Sequence, residues 1–141
     1  MKYPQFPNLI YAVSDISDGN MSIIKGSPME AIENRRKFLS NSGVDINSIV
    51  VPSQTHSDTV YQVTAKDKGS GANGKAQIEA DGLITNEKDL FLFLLTADCH
   101  AIALLDPIEN AIGLVHAGWI GLDLEIIPKA IQKMQTQFHY S

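Results

Sequence analysis

The chain has 141 residues, with 44% hydrophobic and 19% charged, a globular balance that excludes wholesale disorder. A net charge of −5 gives no electrostatic reason to seek nucleic acid or anionic lipid, so neither is expected as a partner. The longest apolar run, Leu90 to Leu95, is six residues, against the roughly 20 that span a bilayer. The N-terminus lacks an apolar stretch followed by a small-residue cleavage site. The single cysteine cannot form an intramolecular disulfide. These features predict a soluble, cytoplasmic protein.

In chain order, Leu9 to Val13 reads as a strand, and Ser14 to Asn20 as a loop dense in turn formers. Ser27-Pro28-Met29-Glu30 combines a capping serine, a proline at the first helical position and a glutamate three residues on. A helix from about 28 to 41 follows, with Met29, Ile32 and Leu39 on its apolar face and Gly43 as the stop. Ile49 to Val51 and Thr59 to Thr64 read as strands flanking the polar stretch Ser53 to Asp58. Lys66 to Ala76, rich in glycine, reads as an exposed flexible loop without the pattern of a phosphate-binding loop.

The densest apolar part comes next. Gly82–Thr85, Leu90–Thr96, Ala101–Leu105 and Ala111–Val115 are strand-like, the last three continuous enough for burial on both faces. Ile127, Ile131, Met134 and Phe138 then fit a helix, which Pro128 either opens or kinks. No internal repeat or boundary interrupts the chain, so residues 1–141 are expected to form one domain.

Three candidate ligands fall at strand ends: His56 in a polar break, Cys99 in Thr96-Ala97-Asp98-Cys99-His100, and His116 in Val115-His116-Ala117-Gly118-Trp119. A His-Cys-His set suits zinc, whose three protein ligands leave a fourth tetrahedral position for water. Zinc would hold Cys99 as thiolate and lower the pKa of bound water toward about 7. Asp98 could orient a ligand or accept a proton from that water. A buried cysteine is also simply a small hydrophobe, and an isolated histidine a hydrogen-bonded side chain. The same residues, Cys99 with His116 or His56 as base, would also make a metal-free cysteine hydrolase dyad. His100 and His139 read as structural or surface residues, and Trp119 as a core residue or a lid over a flat substrate.

Gln54-Thr55-His56, Ala80-Asp81-Gly82-Leu83-Ile84-Thr85, Thr96-Ala97-Asp98-Cys99 and His116-Ala117-Gly118-Trp119-Ile120-Gly121 together resemble the laccase-domain family. That family is historically labelled multicopper polyphenol oxidase and understood as purine nucleoside phosphorylases with adenosine deaminase activity. Glu33-Asn34-Arg35-Arg36 resembles a further recurrent stretch, and the resemblance runs from about Leu9 to Met134. It implies a layered α/β (α+β) fold of mixed β-sheets with flanking helices, in agreement with the segments above. It implies zinc at His56, Cys99 and His116, and with Asp98 from the residue reading these are the expected catalytic residues. It also implies phosphorolysis of adenosine, inosine, guanosine and methylthioadenosine, and deamination of adenosine.

The chain departs from the family in three ways. Ile120 stands where the family carries arginine, and Ser14 to Asn20 replaces a stretch that often carries another. Arg35 and Arg36 are the remaining candidates for holding phosphate. The family's later Gly-Pro-Cys segment and following strands have no counterpart, so the chain is expected to be a short or truncated member. Its sheet edge would then be open to a second copy or a partner chain. These departures weigh on phosphate capture more than on metal binding, and favour as the rival reading a non-catalytic, metal-binding partner subunit. Copper-dependent phenol oxidation ranks last, because one His-Cys-His set cannot assemble several copper centres.

Overall fold

The computed structural model describes residues 2, 3 and 5–138, so His139 lies outside the described residues. The chain divides into two compact units, Met1–Ile46 and Asn47–Ser141. The predicted mixture of sheets and helices is what the chain forms. Among the described residues no helix is long and apolar enough to cross a membrane.

In the first unit β1 (Lys2–Tyr3) pairs antiparallel with β2 (Phe6–Ile10). The strand expected at Leu9–Val13 thus lies earlier in the chain. Lys2 faces Ile10 across the ladder, which sets the strand's far end at Ile10. The predicted loop at Ser14–Asn20 holds one tight turn, Ile16–Asp18. Asp15 accepts the Ser17 N–H at 2.7 Å, and Asp18 accepts the Asp15 N–H at 2.9 Å.

Helix α1 (Pro28–Ser40) follows its sequence signals closely. Ser27 Oγ accepts the Glu30 N–H, and Gly43, at φ 71°, closes the far end. There Gly43 N–H reaches the Ser40 carbonyl and Val44 N–H the Leu39 carbonyl. The buried face differs from expectation: Ala31, Arg35 and Leu39 point inward, whereas Met29 is 83% exposed. Residues at i, i+4 and i+8 share a face, and Met29 falls outside that row. Buried Arg35 donates its Nε–H to the Met21 carbonyl at 2.8 Å.

Among the described residues the second unit carries two sheets. β3 (Ile49–Val50) and β6 (Phe91–Leu92) form a short parallel pair. The other sheet has the order β4-β5-β8-β7, comprising β4 (Val60–Gln62), β5 (Gly82–Thr85), β7 (His100–Asp106) and β8 (Ala111–Ala117). β4 and β5 are parallel, and the other pairings are antiparallel. Leu90–Thr96 contributes only the two residues of β6, because β3 offers only two partners.

Two apolar clusters lie on opposite faces of β5, as the period-two alternation of a strand requires. Ile84 belongs with Val60, Val115 and the buried row Ile126, Ala130, Met134 and Phe138 of helix α3 (Ile126–Phe138). Leu83 belongs with Val50, Val63, Ile78, Ala80 and Leu90. The inward row of α3 is thus offset from the expected one, and Ile131 is 43% exposed. Pro128 sits in the first turn, where its missing N–H costs no helical hydrogen bond.

Two further expectations are corrected. β7 is half exposed rather than buried on both faces, because it is the edge strand. Lys66–Ala76 is not wholly exposed: Gly69 N–H reaches the Ile49 carbonyl, the Ser70 carbonyl accepts from Val51, and Ala72 is buried. Backbone pairing with the segment around β3 pins this loop.

Candidate metal centre

The centre is built outward from Asp81, the residue preceding β5. Its wholly buried carboxylate meets three successive amides. Thr55 N–H (3.1 Å) and Ser57 N–H (2.7 Å) donate to Oδ2, and His56 N–H (3.1 Å) donates to Oδ1. Ser57 Oγ–H adds a bond at 2.8 Å. Burial pushes the Asp81 carboxyl up, but hydrogen bonds from His116, Ser57 and Thr55 outweigh burial and hold it below its ordinary value. The group is an ionised acceptor at neutral pH.

β8 brings His116 to the same carboxylate. The His116 N–H donates to the Asp81 carbonyl at 2.7 Å, and Nδ1 lies 2.8 Å from Asp81 Oδ1. A carboxylate can only accept, so Nδ1 carries the proton and Nε2 keeps its lone pair for a ligand. His116 is 4% exposed, which locks that orientation.

His56 adopts φ 59°, the left-handed region uncommon for a residue with a side chain. The amide wrap around Asp81 holds it there, offsetting a cost of about 1 kcal/mol. Gln54 supplies the next link. Its amide donates to the Leu95 carbonyl at 2.7 Å and accepts the Leu95 N–H at 2.9 Å. A side chain thus takes the place of a pairing strand and ties the His56 loop to the segment leading to Cys99.

The result is convergence. Cys99 Sγ lies 4.0 Å from His56 Nε2, and the two imidazoles meet edge to face with centroids 4.9 Å apart. One donor atom from each of His56, Cys99 and His116 lies within 4.8 Å of the others. A tetrahedral ion with bonds of about 2.0–2.3 Å would separate such atoms by roughly 3.5 Å. Gly118 completes the cradle: a Cβ there would stand 3.0 Å from His56 Cδ2 and 3.3 Å from Cys99 Sγ. Two imidazoles and a thiol around a hollow that a Cβ at Gly118 would crowd fit a borderline-soft divalent metal.

The other predicted residues are placed as follows. Asp98 is exposed in the turn before Cys99, and His100 is the exposed first residue of β7, outside the trio. Trp119 is 77% exposed, which rules out its core reading. The short helix α2 (Trp119–Asp123) buries Gly121 against Ser57 and Ile126, and Trp119 falls on its other side. Asp81 is the residue whose role sequence reasoning missed. Its signal was a lone carboxylate between the buried Ala80 and the wholly buried strand Gly82–Thr85.

The family model described as multi-copper polyphenol oxidoreductase laccase matches residues 12–141. Among curated proteins, purine nucleoside phosphorylase YlmD of Bacillus subtilis (strain 168) is 38% identical over 94 residues, 65% of this chain and 34% of that protein. The protein of the same name from Geobacillus stearothermophilus is 32% identical over 112 residues, 78% of this chain and 41% of its own. The crystal structure of that YlmD superposes with a TM-score of 0.82 at 30% identity, covering 86% of this chain and 46% of the other. The hypothetical protein YfiH of Bacillus licheniformis gives a TM-score of 0.79 at 33% identity, covering 84% and 45%. The chain therefore spans less than half the length of these relatives. On the match of residues 12–141, and with the fold shared with these structures, it belongs to the laccase family so described.

Proposed function

We propose that the chain is a zinc-dependent enzyme of purine nucleosides, with His56, Cys99 and His116 holding the metal. The observation that carries this reading is the meeting of the three donors around Gly118, with Asp81 fixing His116 and the His56 loop. The relatives named purine nucleoside phosphorylase support the substrate class. Zinc, when bound, supplies a Lewis acid and lowers the pKa of water at its open position.

The chain's own groups define the rest. Asp81 keeps His116 in one tautomer and holds its ring in one orientation. Asp98, the exposed residue before Cys99, would take a proton from water in this reading. Trp119 offers an exposed flat face for a purine ring at the start of α2. Deamination needs these groups and water: the 6-amino group leaves as ammonia and oxygen takes its place.

Phosphorolysis needs cations as well. Ile120 supplies none, Asp15 and Asp18 hold their own turn, and buried Arg35 is bonded to Met21, which leaves exposed Arg36 as the one remaining candidate of those named. The reading therefore favours adenosine deamination over phosphorolysis. Ile120 also favours the second reading, a metal-binding subunit without turnover. The test is adenosine turnover by the full chain, with and without phosphate. Ammonia release without phosphate supports the enzyme reading. Ribose phosphate formed only with phosphate makes the activity phosphorolysis, and no product in either assay leaves the non-catalytic subunit.

A further inference from the structure

Asn73-Gly74 is the one asparagine–glycine pair in the sequence, and both residues are exposed in the glycine-rich loop between β4 and β5. An asparagine amide is thermally labile where the next backbone nitrogen can reach its side-chain carbon, and glycine hinders that approach least. The Gly74 nitrogen is at liberty to do so: among the described residues no hydrogen bond engages its N–H. A Cβ built on Gly74 would meet nothing within 4 Å, so a ring has room to close there.

Other asparagines are better guarded. After Asn41 the Ser42 N–H donates to the Leu39 carbonyl at 3.0 Å, and after Asn86 the Glu87 N–H donates to Thr85 Oγ1 at 3.1 Å. Asn34 lies inside α1, where the helical ladder holds the next amide. Charge also favours the loop. Asn73 and Gly74 line a cavity of about 570 Å³ together with Lys66, Lys68 and Lys75, and among the described residues none of these lysines is ion-paired. Nearby positive charge stabilises the deprotonated, nucleophilic form of an amide.

We propose that Asn73-Gly74 is a self-modification site, at which the folded chain converts Asn73 to aspartate and isoaspartate. The Gly74 nitrogen gives its proton to hydroxide and attacks Cγ of Asn73. The N–Cγ bond forms, the Cγ–Nδ2 bond breaks, and ammonia leaves behind a five-membered succinimide. Water then opens the ring: breaking the new N–Cγ bond gives aspartate, and breaking the original main-chain bond gives isoaspartate. No oxidant or reductant takes part. The Asn73 Nδ2–H now donates to Asn47 Oδ1 at 3.2 Å, and a carboxylate can only accept, so this tie is lost. A new negative charge stands instead on the wall of the lysine-lined cavity. The isoaspartyl product carries a free α-carboxylate, the group that an isoaspartyl methyltransferase esterifies. The inference rests on neither the metal nor the nucleoside reading.

The experiment incubates the full chain in mildly alkaline buffer, native and urea-unfolded, with Gly74→Ala alongside. Peptide mapping by mass spectrometry follows each asparagine, and methylation of the mapped peptides by an isoaspartyl methyltransferase detects isoaspartate. The expected result is conversion at Asn73 in the native chain, ahead of every other asparagine, with isoaspartate among the products. Gly74→Ala should slow it by about tenfold or more, since the added methyl hinders ring closure. Conversion confined to the urea-unfolded chain would show that the fold shields Asn73 and would overturn the proposal. So would an unchanged rate in Gly74→Ala. Aspartate without isoaspartate would do the same for the wild type alone, because direct hydrolysis of the amide gives only aspartate.

Discussion

Asp81 Oδ1 stands 2.8 Å from Nδ1 of His116, and the same carboxylate gathers the amides of Thr55, His56 and Ser57. One buried side chain therefore orients two of the three candidate ligands, one through its ring and one through its backbone. The candidate centre belongs to the architecture of the second unit, since the carboxylate also closes the turn that brings His56 to β8.

Replacing Asp81 with asparagine keeps the volume but turns an NH2 toward the donors of Thr55, His56, Ser57 and His116. Metal affinity, measured by competition with a chromophoric chelator, should fall about 10–100-fold. Stability of the metal-free protein should drop by about 1–3 kcal/mol in urea titration. Unchanged affinity would mean that Asp81 does not orient the ligands.

Gly118→Ala tests the cradle without touching a ligand. Its φ of −74° suits alanine, so stability should stay within about 1 kcal/mol of wild type. The added methyl would crowd His56 Cδ2 and Cys99 Sγ, and metal affinity should fall by about tenfold. Equal losses of stability and affinity would instead point to a general packing defect.

The glycine-rich loop offers an internal comparison. At Gly71 a Cβ would lie 2.1 Å from the Val51 carbonyl oxygen, with φ at +70°; at Gly74 it would meet nothing. Gly71→Ala should cost about 2 kcal/mol or more, and Gly74→Ala less than about 0.5 kcal/mol. Similar costs at the two positions would contradict a pinned loop.

Trp119→Ala separates packing from substrate contact. An exposed tryptophan removed from the surface should change stability by less than about 0.5 kcal/mol, whereas a core tryptophan would cost about 3–5 kcal/mol. With adenosine, the variant should show a raised KM, and an unchanged KM would exclude stacking on Trp119.

Much of this was legible in the sequence. Ser27, Pro28 and Gly43 mark α1 because capping is local chemistry, and the three candidate ligands stand out because cysteine and histidine are rare here. What stayed hidden depends on distant partners. Asp81 becomes an orienting group only once β5 and β8 pair with Gly82 opposite Val115, which sets Asp81 beside His116. β7 and β8 look alike as apolar runs, yet one is an edge and the other is central, and only sheet order decides that. Arg35 reads as a candidate for holding phosphate until Met21 offers its carbonyl in the interior.

The central claim is that His56, Cys99 and His116 form one metal site, and metal content tests it most directly. Mass spectrometry should be run on protein purified without chelator or metal-affinity resin, beside Cys99→Ala. The account predicts about one zinc per chain in the wild type, with metal lost in the variant. Metal retained by Cys99→Ala, or absent from carefully handled wild type, would contradict it.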